Sequence, residues 1–179
     1  MLADAGIDVA IVPANVDEST AKTSAADGQP LALELACAKA LAVSAQRPAD
    51  WIIGSDSTVS VDGRLFDKPL SREDAADHLR AFSGRTMQLS SAVALANGGC
   101  VDWQYGETAT LSVRPLSESF IAAYLEREWP AVGYCVGVFR MEGPGVQLFD
   151  RIQGSHFTIL GMPLLPLLGA LRHRGLIAA

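Results

Sequence analysis

Apolar and polar residues alternate with a period of two in several short stretches of the chain, and this pattern predicts β-strands. Residues 7–12 alternate in this way and stop at Pro13, so we predict a first strand there. A second apolar run begins at residues 51–53 and leads through polar residues to Asp62-Gly63, a dipeptide typical of a hairpin turn. The same pattern predicts strand residues at 58–61, 64–66, 87–96, 101–113 and 146–152.

Apolar residues spaced three or four positions apart predict helices between these strands. Leu31 and Leu35 share one face of a helix that begins near Pro30 and ends near residue 46, after a small and polar loop over residues 15–28. Further helices are predicted from Ser71 to Gly84, from Ser117 to just before Pro130, and from Leu164 to Arg174. Because strands and helices are intermixed, the predicted fold class is α/β, with a mixed sheet flanked by helices.

Composition narrows the class of protein further. A chain of 179 residues with 49% hydrophobic and 19% charged residues is typical of one globular domain. The net charge of −6 and the absence of a Lys/Arg cluster argue against a nucleic-acid partner, although a small anionic substrate in a locally positive pocket stays possible. The three cysteines are widely spaced, which predicts free thiols in a reducing compartment. The sequence shows no apolar run of membrane length and no basic signal region, so we predict a cytoplasmic protein without a membrane partner.

One stretch places an acid inside an apolar run. Asp56 follows Ile52, Ile53 and Gly54, although aspartate is rare in strand interiors unless it is paired. General phosphate-loop, nucleophile-elbow and metal-spacing motifs are absent from the sequence. Acids that gather a divalent metal opposite cations suit phosphoryl chemistry. For each such residue taken alone, except Asp56, an ordinary solvated or structural position is the favoured interpretation. The candidate residues are Asp17, Glu18, Lys39, Asp56, Lys68, Arg85 and Glu142.

The order of the motifs carries more information than any single one. Glu18 is followed by LACAKA around Lys39, GSDSTV around Asp56, DKP around Lys68, FSGRT, Glu142-Gly143 and RIQGSHFTILGMPL. Together these segments resemble the Maf family of nucleoside triphosphate pyrophosphatases, whose corresponding motifs are GADT, GKP, LSGRT and a closing RIEGSYxxVxGLPL segment. The resemblance covers nearly the whole chain.

The resemblance implies both a fold and a reaction. The implied fold is the α/β fold shared with inosine triphosphate pyrophosphatases, with two lobes around a cleft and usually a homodimer. The implied reaction is hydrolysis of a nucleoside triphosphate to a monophosphate and pyrophosphate with Mg or Mn. By the same resemblance Asp56 is the general base, Glu18 and Asp56 meet the metal, and Lys39 and Lys68 face the phosphates.

Two family positions bear on the base, and this chain carries Ser57 and Glu142 there. Family members acting on dTTP and UTP carry Thr and Gln, whereas the branch acting on 7-methyl-GTP carries Gln and Glu. Glu142 therefore favours the second branch, because a carboxylate accepts hydrogen bonds from a guanine edge and favours a cationic ring. Ser57 matches neither pattern, so the preferred base stays open, and modified or non-standard bases are among the candidates.

The beginning of the chain departs from the family pattern. Family members open with a strand and a Ser-x-Ser-x-Arg-Arg loop that binds phosphates, whereas this sequence begins MLADAGI, which resembles the helix after that loop. We therefore expect a single domain over residues 1–179 that lacks the family's first strand and phosphate loop. This departure keeps open a non-catalytic nucleotide-binding or protein-interaction role in cell-division control, to which the family has been linked, and a phosphohydrolase acting on monophosphates.

Overall fold

Five strands form one sheet in the computed structural model of the chain, which describes residues 1–24 and 27–178. The strands are β1 (Ile52–Val61), β2 (Arg64–Phe66), β3 (Thr86–Asn97), β4 (Cys100–Val113) and β5 (Phe149–Gln153). Their order across the sheet is β2-β1-β3-β4-β5, and every pair of neighbours is antiparallel. The α/β class is confirmed, whereas the predicted mixed sheet is wrong, because each strand of this sheet runs back along the one beside it.

Short turns join the first four strands in pairs, as the sequence predicted. Asp62 and Gly63 connect β1 to β2 with φ angles of 51° and 77°, the left-handed conformation that a two-residue hairpin of this type requires. Gly98 and Gly99 connect β3 to β4, also with positive φ angles. The hairpins fix the register of the sheet, and β1 pairs with β3 from Ile52 to Val61.

Six α-helices accompany the sheet in the described part of the chain. They are α1 (Ser19–Ser24), α2 (Gly28–Ser44), α3 (Arg72–Phe82), α4 (Glu118–Glu128), α5 (His156–Ile159) and α6 (Leu164–His173). The predictions behind α2, α3, α4 and α6 are confirmed, whereas α5 was not predicted. The loop predicted over residues 15–28 is wrong where α1 forms, and residues 25 and 26 of that loop lie outside the described residues. None of the described helices combines the length and apolar character that crossing a membrane requires.

Residues 7–12 form no strand, so the first predicted strand is wrong. Their side chains are not buried, and Ile11 is 94% exposed. A strand exists only when its backbone bonds to a neighbour about 4.8 Å away. A groove of about 640 Å³, lined by residues 8–12 on one side and residues 51–55 on the other, separates this segment from β1. We call this space the edge groove.

The two faces of the sheet pack against different helices. On one face, alanines of α2 meet alanines of β3, which brings helix and sheet close together: Ala32, Ala36, Ala40, Ala92, Ala94 and Ala96. The opposite face carries a large apolar cluster with α3 and α4, and a second cluster with α6 that includes Val93 and Leu95. Alternation along a strand therefore decides which helix each side chain meets.

Candidate functional site

Adjacent residues of β1 point to opposite faces of the sheet at the candidate site. Gly54 lies directly against α2, since a side chain there would meet the backbone of Ala36 and Ala40. Asp56, two residues later, points to the same face and contacts Lys39 of α2. Ser57 points to the other face, where its hydroxyl contacts the carbonyl of Gly161 after α5. The site is therefore built around β1 from both sides.

One edge of β1 is open where these residues lie. β3 pairs with the whole strand, but β2 pairs only with Val59, Ser60 and Val61. Within the described ranges, the edge formed by residues 52–58 has no strand partner. Residues of this edge line the edge groove and two further cavities. An open strand edge leaves backbone donors and acceptors available beside these cavities.

The first of these two cavities holds most of the predicted charged residues. It has a volume of about 490 Å³, and we call it the charged cavity. Glu18 comes from the segment before α1, Lys39 from α2, Asp56 from β1 and Lys68 from the loop after β2. The structure thus brings together four predicted residues that are up to 50 positions apart in the sequence.

The charged side chains form an alternating chain of acids and cations. The Lys39 ammonium donates to Asp56 and lies 2.8 Å from Glu18 Oε1. The Lys22 ammonium lies 3.0 Å from Glu18 Oε2 and 2.7 Å from Asp67 Oδ1. Each cation therefore bridges two carboxylates, and removal of either would leave like charges facing each other.

Burial and pairing set the protonation of these groups. Burial raises the pKa of Asp56, whose side chain is 13% exposed, and the Lys39 ammonium offsets this effect only in part. Burial opposes the charged form of Lys39, but its hydrogen bonds to Asp56 and Glu18 outweigh burial and raise its pKa. Burial likewise opposes the charge on Glu18, yet hydrogen bonds from Lys39 and Lys22 lower its pKa. Asp56 is thus a stronger proton acceptor than an ordinary aspartate, next to a cation that stays charged.

The second cavity lies on the other side of the β1 edge. It has a volume of about 360 Å³, and we call it the loop cavity because the segment between α4 and β5 lines it. Glu142 and Gly161 line it, together with Asp56, Ser57 and Lys68, which also line the charged cavity. A ligand with an anionic part and a less polar part could occupy both cavities at once, since the cavities share these three residues and Val136.

An ion pair holds the segment that carries Glu142. Arg140 donates from Nε and Nη2 to the buried carboxylate of Glu128, at 3.2 Å and 2.9 Å. Gly145 packs directly against the Arg140 backbone, where a side chain would lie 2.5 Å from the carbonyl oxygen. Glu142 is exposed between these two anchors, at the mouth of the loop cavity.

Two residues of the wider candidate set lie outside these cavities. Asp17 accepts a hydrogen bond from the Ser19 amide at 2.9 Å, close to the start of α1. Arg85 forms an exposed ion pair with Asp62 at 2.7 Å. Both contacts are structural, although the motifs around these residues had favoured a place in the site.

Sequence reasoning missed several residues of the site. Lys22 follows Glu18 by four residues, a spacing that could have indicated their ion pair. Asp67 stands beside Lys68 in the DKP motif. Ser91 and Thr158 are fully buried and hydrogen-bonded behind Ser57, and Ser91 interrupts an apolar strand. An unexplained polar residue in such a strand was the available signal.

The site fits a divalent metal only together with a ligand. In the described residues, no three His, Cys, Asp or Glu side chains are grouped as a complete metal site. Glu18 and Asp56, however, both reach the Lys39 ammonium, so their carboxylates lie close enough to share a cation. Mg²⁺ is commonly held by one or two carboxylates, with substrate phosphates and water completing the shell. The pair therefore fits a metal that arrives with a phosphorylated substrate.

The chain is similar to known proteins over nearly its whole length. The family model for Maf-like protein matches residues 1–174. A protein of Nitrobacter hamburgensis named nucleoside triphosphate pyrophosphatase is 45% identical over 180 residues, covering 99% of this chain and 89% of the relative. A protein of Rhizobium etli named 7-methyl-GTP pyrophosphatase is 45% identical over 181 residues, covering 99% and 91%. One of Granulibacter bethesdensis, named nucleoside triphosphate pyrophosphatase, is 46% identical over 176 residues, covering 96% and 89%.

Proposed function

Because the chain belongs to the family of Maf-like proteins, we propose that it hydrolyses a nucleoside 5′-triphosphate to the monophosphate and pyrophosphate. The observation that carries the proposal is the pairing of Asp56 with Lys39 inside the charged cavity. A carboxylate with a raised pKa suits proton removal from water, and adjacent cations suit a leaving pyrophosphate. The relatives' names support the same reaction.

In the proposed mechanism, Asp56 accepts a proton from the attacking water. The water oxygen forms a bond to the α-phosphorus, and the bond from that phosphorus to the bridging oxygen of the β-phosphate breaks. Lys39 and Lys68 neutralise charge that accumulates on the departing pyrophosphate. Lys68 is exposed and lines both cavities, so its ammonium can reach phosphates that span the β1 edge.

A divalent metal, Mg or Mn, fits the same proposal. Glu18 and Asp56 would hold it, and it would offset negative charge on the triphosphate oxygens when bound. Lys39 already bridges these two carboxylates and Lys22 pairs with Glu18, so the cations hold both acids in place. A homodimer and a cytoplasmic location remain predictions from the resemblance and the composition.

The edge groove offers a place for the opening strand that the family resemblance implies. The edge of β1 that faces away from β3 has no strand partner at residues 52–58 in the described structure, and the groove runs beside it. We propose that a strand of this kind pairs with β1 there and brings its anion loop next to the charged cavity. The groove and that cavity share Glu18 and Lys39, which supports this placement.

Pyrophosphate release tests the proposed function directly. We assay 7-methyl-GTP, GTP, dTTP, UTP and modified pyrimidine triphosphates with Mg or Mn, and we expect release that chelation with EDTA abolishes and added metal restores. The assay includes a chain extended before Met1 by the family's opening strand and Ser-x-Ser-x-Arg-Arg loop, which we expect to raise kcat/KM. Binding of nucleotides without hydrolysis by either chain would instead favour the non-catalytic role, and release of inorganic phosphate would indicate a different phosphohydrolase.

The Lys39→Gln variant tests how the cation acts on the base. We expect kcat/KM to fall about tenfold to a hundredfold, because a charge-assisted contact to the phosphates is lost. Asp56 must be deprotonated to act, so activity falls as pH falls through its pKa. Since Lys39 lowers the pKa of Asp56, its removal should move this acidic limb of the pH profile to higher pH.

The conservative Lys39→Arg variant is the matched control. It keeps a cation beside Asp56, so the acidic limb should stay close to that of the parent chain. An unchanged acidic limb in Lys39→Gln would contradict the role of Lys39 in setting the protonation of Asp56.

A further inference from the structure

A network of four hydrogen bonds lies behind the loop cavity, and Ser57 takes part in two of them. The hydroxyl oxygens of Ser57 and Ser91 are 2.7 Å apart, and the Ser57 hydroxyl also lies 3.2 Å from the carbonyl oxygen of Gly161. Ser91 donates to the carbonyl oxygen of Thr158 at 2.7 Å. Thr158 donates its own hydroxyl proton to Glu107 at 2.9 Å, which anchors the end of this network.

The direction of these bonds follows from counting protons. A hydroxyl carries a single proton, and a carbonyl oxygen only accepts. Ser91 donates its only hydroxyl proton to the carbonyl of Thr158, so Ser57 must be the donor in the contact between the two hydroxyls. The second partner of Ser57, the carbonyl of Gly161, also only accepts, so the shorter contact with Ser91 and the longer contact with Gly161 share the one Ser57 proton. Both partners therefore draw the Ser57 proton toward the protein.

The burial of the network keeps this direction in place. Ser91 and Thr158 are both 0% exposed, so water does not supply an alternative partner for the Ser91 oxygen. Ser91 also stands in a row of apolar side chains on its face of β3, between Leu89 and Val93. If Ser57 turned its proton toward a ligand, a buried oxygen would lose its donor, which is unfavourable.

We propose that Ser91 determines base selectivity by directing the hydroxyl proton of Ser57 away from the loop cavity. Ser57 then offers only lone pairs to a ligand in that cavity. The carboxylate oxygens of Glu142, which lines the same cavity, also only accept hydrogen bonds. Both polar side chains named for base recognition are thus acceptors, and Ser91 is a positioning residue that acts through Ser57.

Two acceptors select a base edge that carries neighbouring donors. Among the standard bases, guanine alone presents adjacent donors, N1–H and the N2 amino group, on its pairing edge. Uracil and thymine present a single N–H between two carbonyl oxygens, which would face the acceptors with like partial charge. The inference rests on the proposed function for its substrate, and it specifies a guanine-type base, whether or not the ring is methylated at N7.

The experiment compares kcat/KM for GTP with kcat/KM for UTP in a set of single and double variants. The parent chain should favour GTP. Ser57→Ala and Ser91→Ala should each lower the GTP-to-UTP ratio about fivefold to tenfold. Ser57→Ala removes the acceptor, and Ser91→Ala leaves only the longer contact with the Gly161 carbonyl to hold the Ser57 proton away from the ligand. The double variant should lower the ratio no further than Ser57→Ala alone, since Ser91 acts through Ser57. If Ser91→Ala does not fold, Ser91→Cys replaces it in the experiment. Cysteine fills a similar space with only a weak donor and acceptor, so this variant should also lower the ratio.

Ser90→Ala is the matched control. Ser90 is the neighbouring buried serine of β3, and its hydroxyl contacts Thr108 at 2.8 Å on the other face of the sheet. This variant should leave the GTP-to-UTP ratio unchanged. A Ser91 variant that lowers both substrates equally, a parent chain that favours UTP, or additive effects in the double variant would overturn the proposal.

Binding measurements separate this inference from the proposed reaction. Calorimetric titration of Asp56→Asn with GTP and with UTP gives the ratio of Kd values without turnover. If no form of the chain releases pyrophosphate but the Kd ratio changes in Ser57→Ala and Ser91→Ala as described, the proposed reaction fails and the inference about Ser91 stands. If the Kd ratio is unaffected by both variants, the inference fails whatever the turnover.

Discussion

Replacement of Asp56 by asparagine is expected to lower kcat for pyrophosphate release by about a hundredfold to ten-thousandfold, the contribution that a positioned general base makes. Asparagine has the same shape, and its side-chain oxygen can still accept from Lys39, so nucleotide binding should survive. It cannot accept a proton from water at neutral pH. The measurement is steady-state pyrophosphate release at saturating substrate, with Kd determined separately by calorimetry.

The fold should tolerate this substitution. Burial raises the pKa of Asp56, so the folded chain binds that proton more tightly than the unfolded chain does. Stability from this group is therefore lost as pH rises from the ordinary pKa of an aspartate through the raised one. An uncharged asparagine avoids this loss, but it also takes from Lys39 a carboxylate that raises the pKa of that lysine, so Tm at neutral pH should stay close to that of the parent chain.

Asp67→Asn is the control for charge alone. Asp67 lines the same cavity and pairs with Lys22, but it is exposed. The same loss of one negative charge should change kcat/KM less than about fivefold, as for other exposed ion pairs. Equal losses in the two variants would assign the effect to the field in the cavity, and undiminished kcat in Asp56→Asn would remove Asp56 from the role of base.

Features of the fold that depend on neighbouring residues could be predicted from the sequence. The Asp62-Gly63 turn needs only residues that accept positive φ angles, and its position fixes the β1–β2 register. Ser71 caps α3 by accepting from the Asp74 amide at 3.0 Å, an interaction that spans three residues. The antiparallel pairing of β5 with β4 could not be predicted from neighbouring residues, because α4 and a long loop separate the two strands in the sequence.

The failed first strand shows what a local pattern omits. Residues 7–12 alternate correctly, but alternation supplies only a suitable surface, while the hydrogen bonds of a strand come from a neighbour. Here the nearest strand edge belongs to β1, and the edge groove separates it from this segment. The sequence pattern was therefore compatible with a strand, but residues 7–12 have no neighbouring strand to pair with in the described structure.

The sequence predicted which residues form the candidate site, but it did not predict the contacts between them. Glu18, Lys39, Asp56 and Lys68 were named from the order of motifs, and the structure places them in one cavity. Ser91 and Thr158 matter through contacts between residues that are 34 and 67 positions apart, which no spacing rule reaches. The spacing of Lys22 from Glu18 could have indicated one of its ion pairs, but not the other, with Asp67. Their roles depend on which face of β1 or β3 each neighbour occupies.

The closeness of β1 to α2 makes Gly54 the most sensitive position of the scaffold. A Cβ atom at residue 54 would lie 2.3 Å from the Ala36 carbonyl oxygen and 2.6 Å from the Ala40 amide nitrogen. Both are backbone atoms of α2, so no side-chain rotation relieves the collision, and helix and strand must separate. Lys39 is carried on this turn of α2, and Asp56 follows Gly54 by two residues on the same face of β1.

Gly54→Ala is therefore expected to destabilise the fold by about 3 kcal/mol, which corresponds to a decrease in Tm of about 6–12 °C for a domain of this size. It should also lower kcat/KM about a hundredfold at temperatures where the variant is still folded, because separation of α2 from β1 moves Lys39 away from Asp56. Differential scanning calorimetry and pyrophosphate release well below Tm measure the two effects independently.

Gly169→Ala provides the matched control, because the substitution is the same but the space is open. Gly169 lies within α6 and is exposed, and a Cβ atom added there would meet no neighbouring atom within 4 Å beyond its own helix. Alanine there should raise stability by about 0.5–1 kcal/mol through its helix propensity and leave turnover unchanged. A Gly54→Ala chain with unchanged Tm would mean that α2 and β1 can separate at little cost. In that case glycine at this position would not be what holds Lys39 against Asp56.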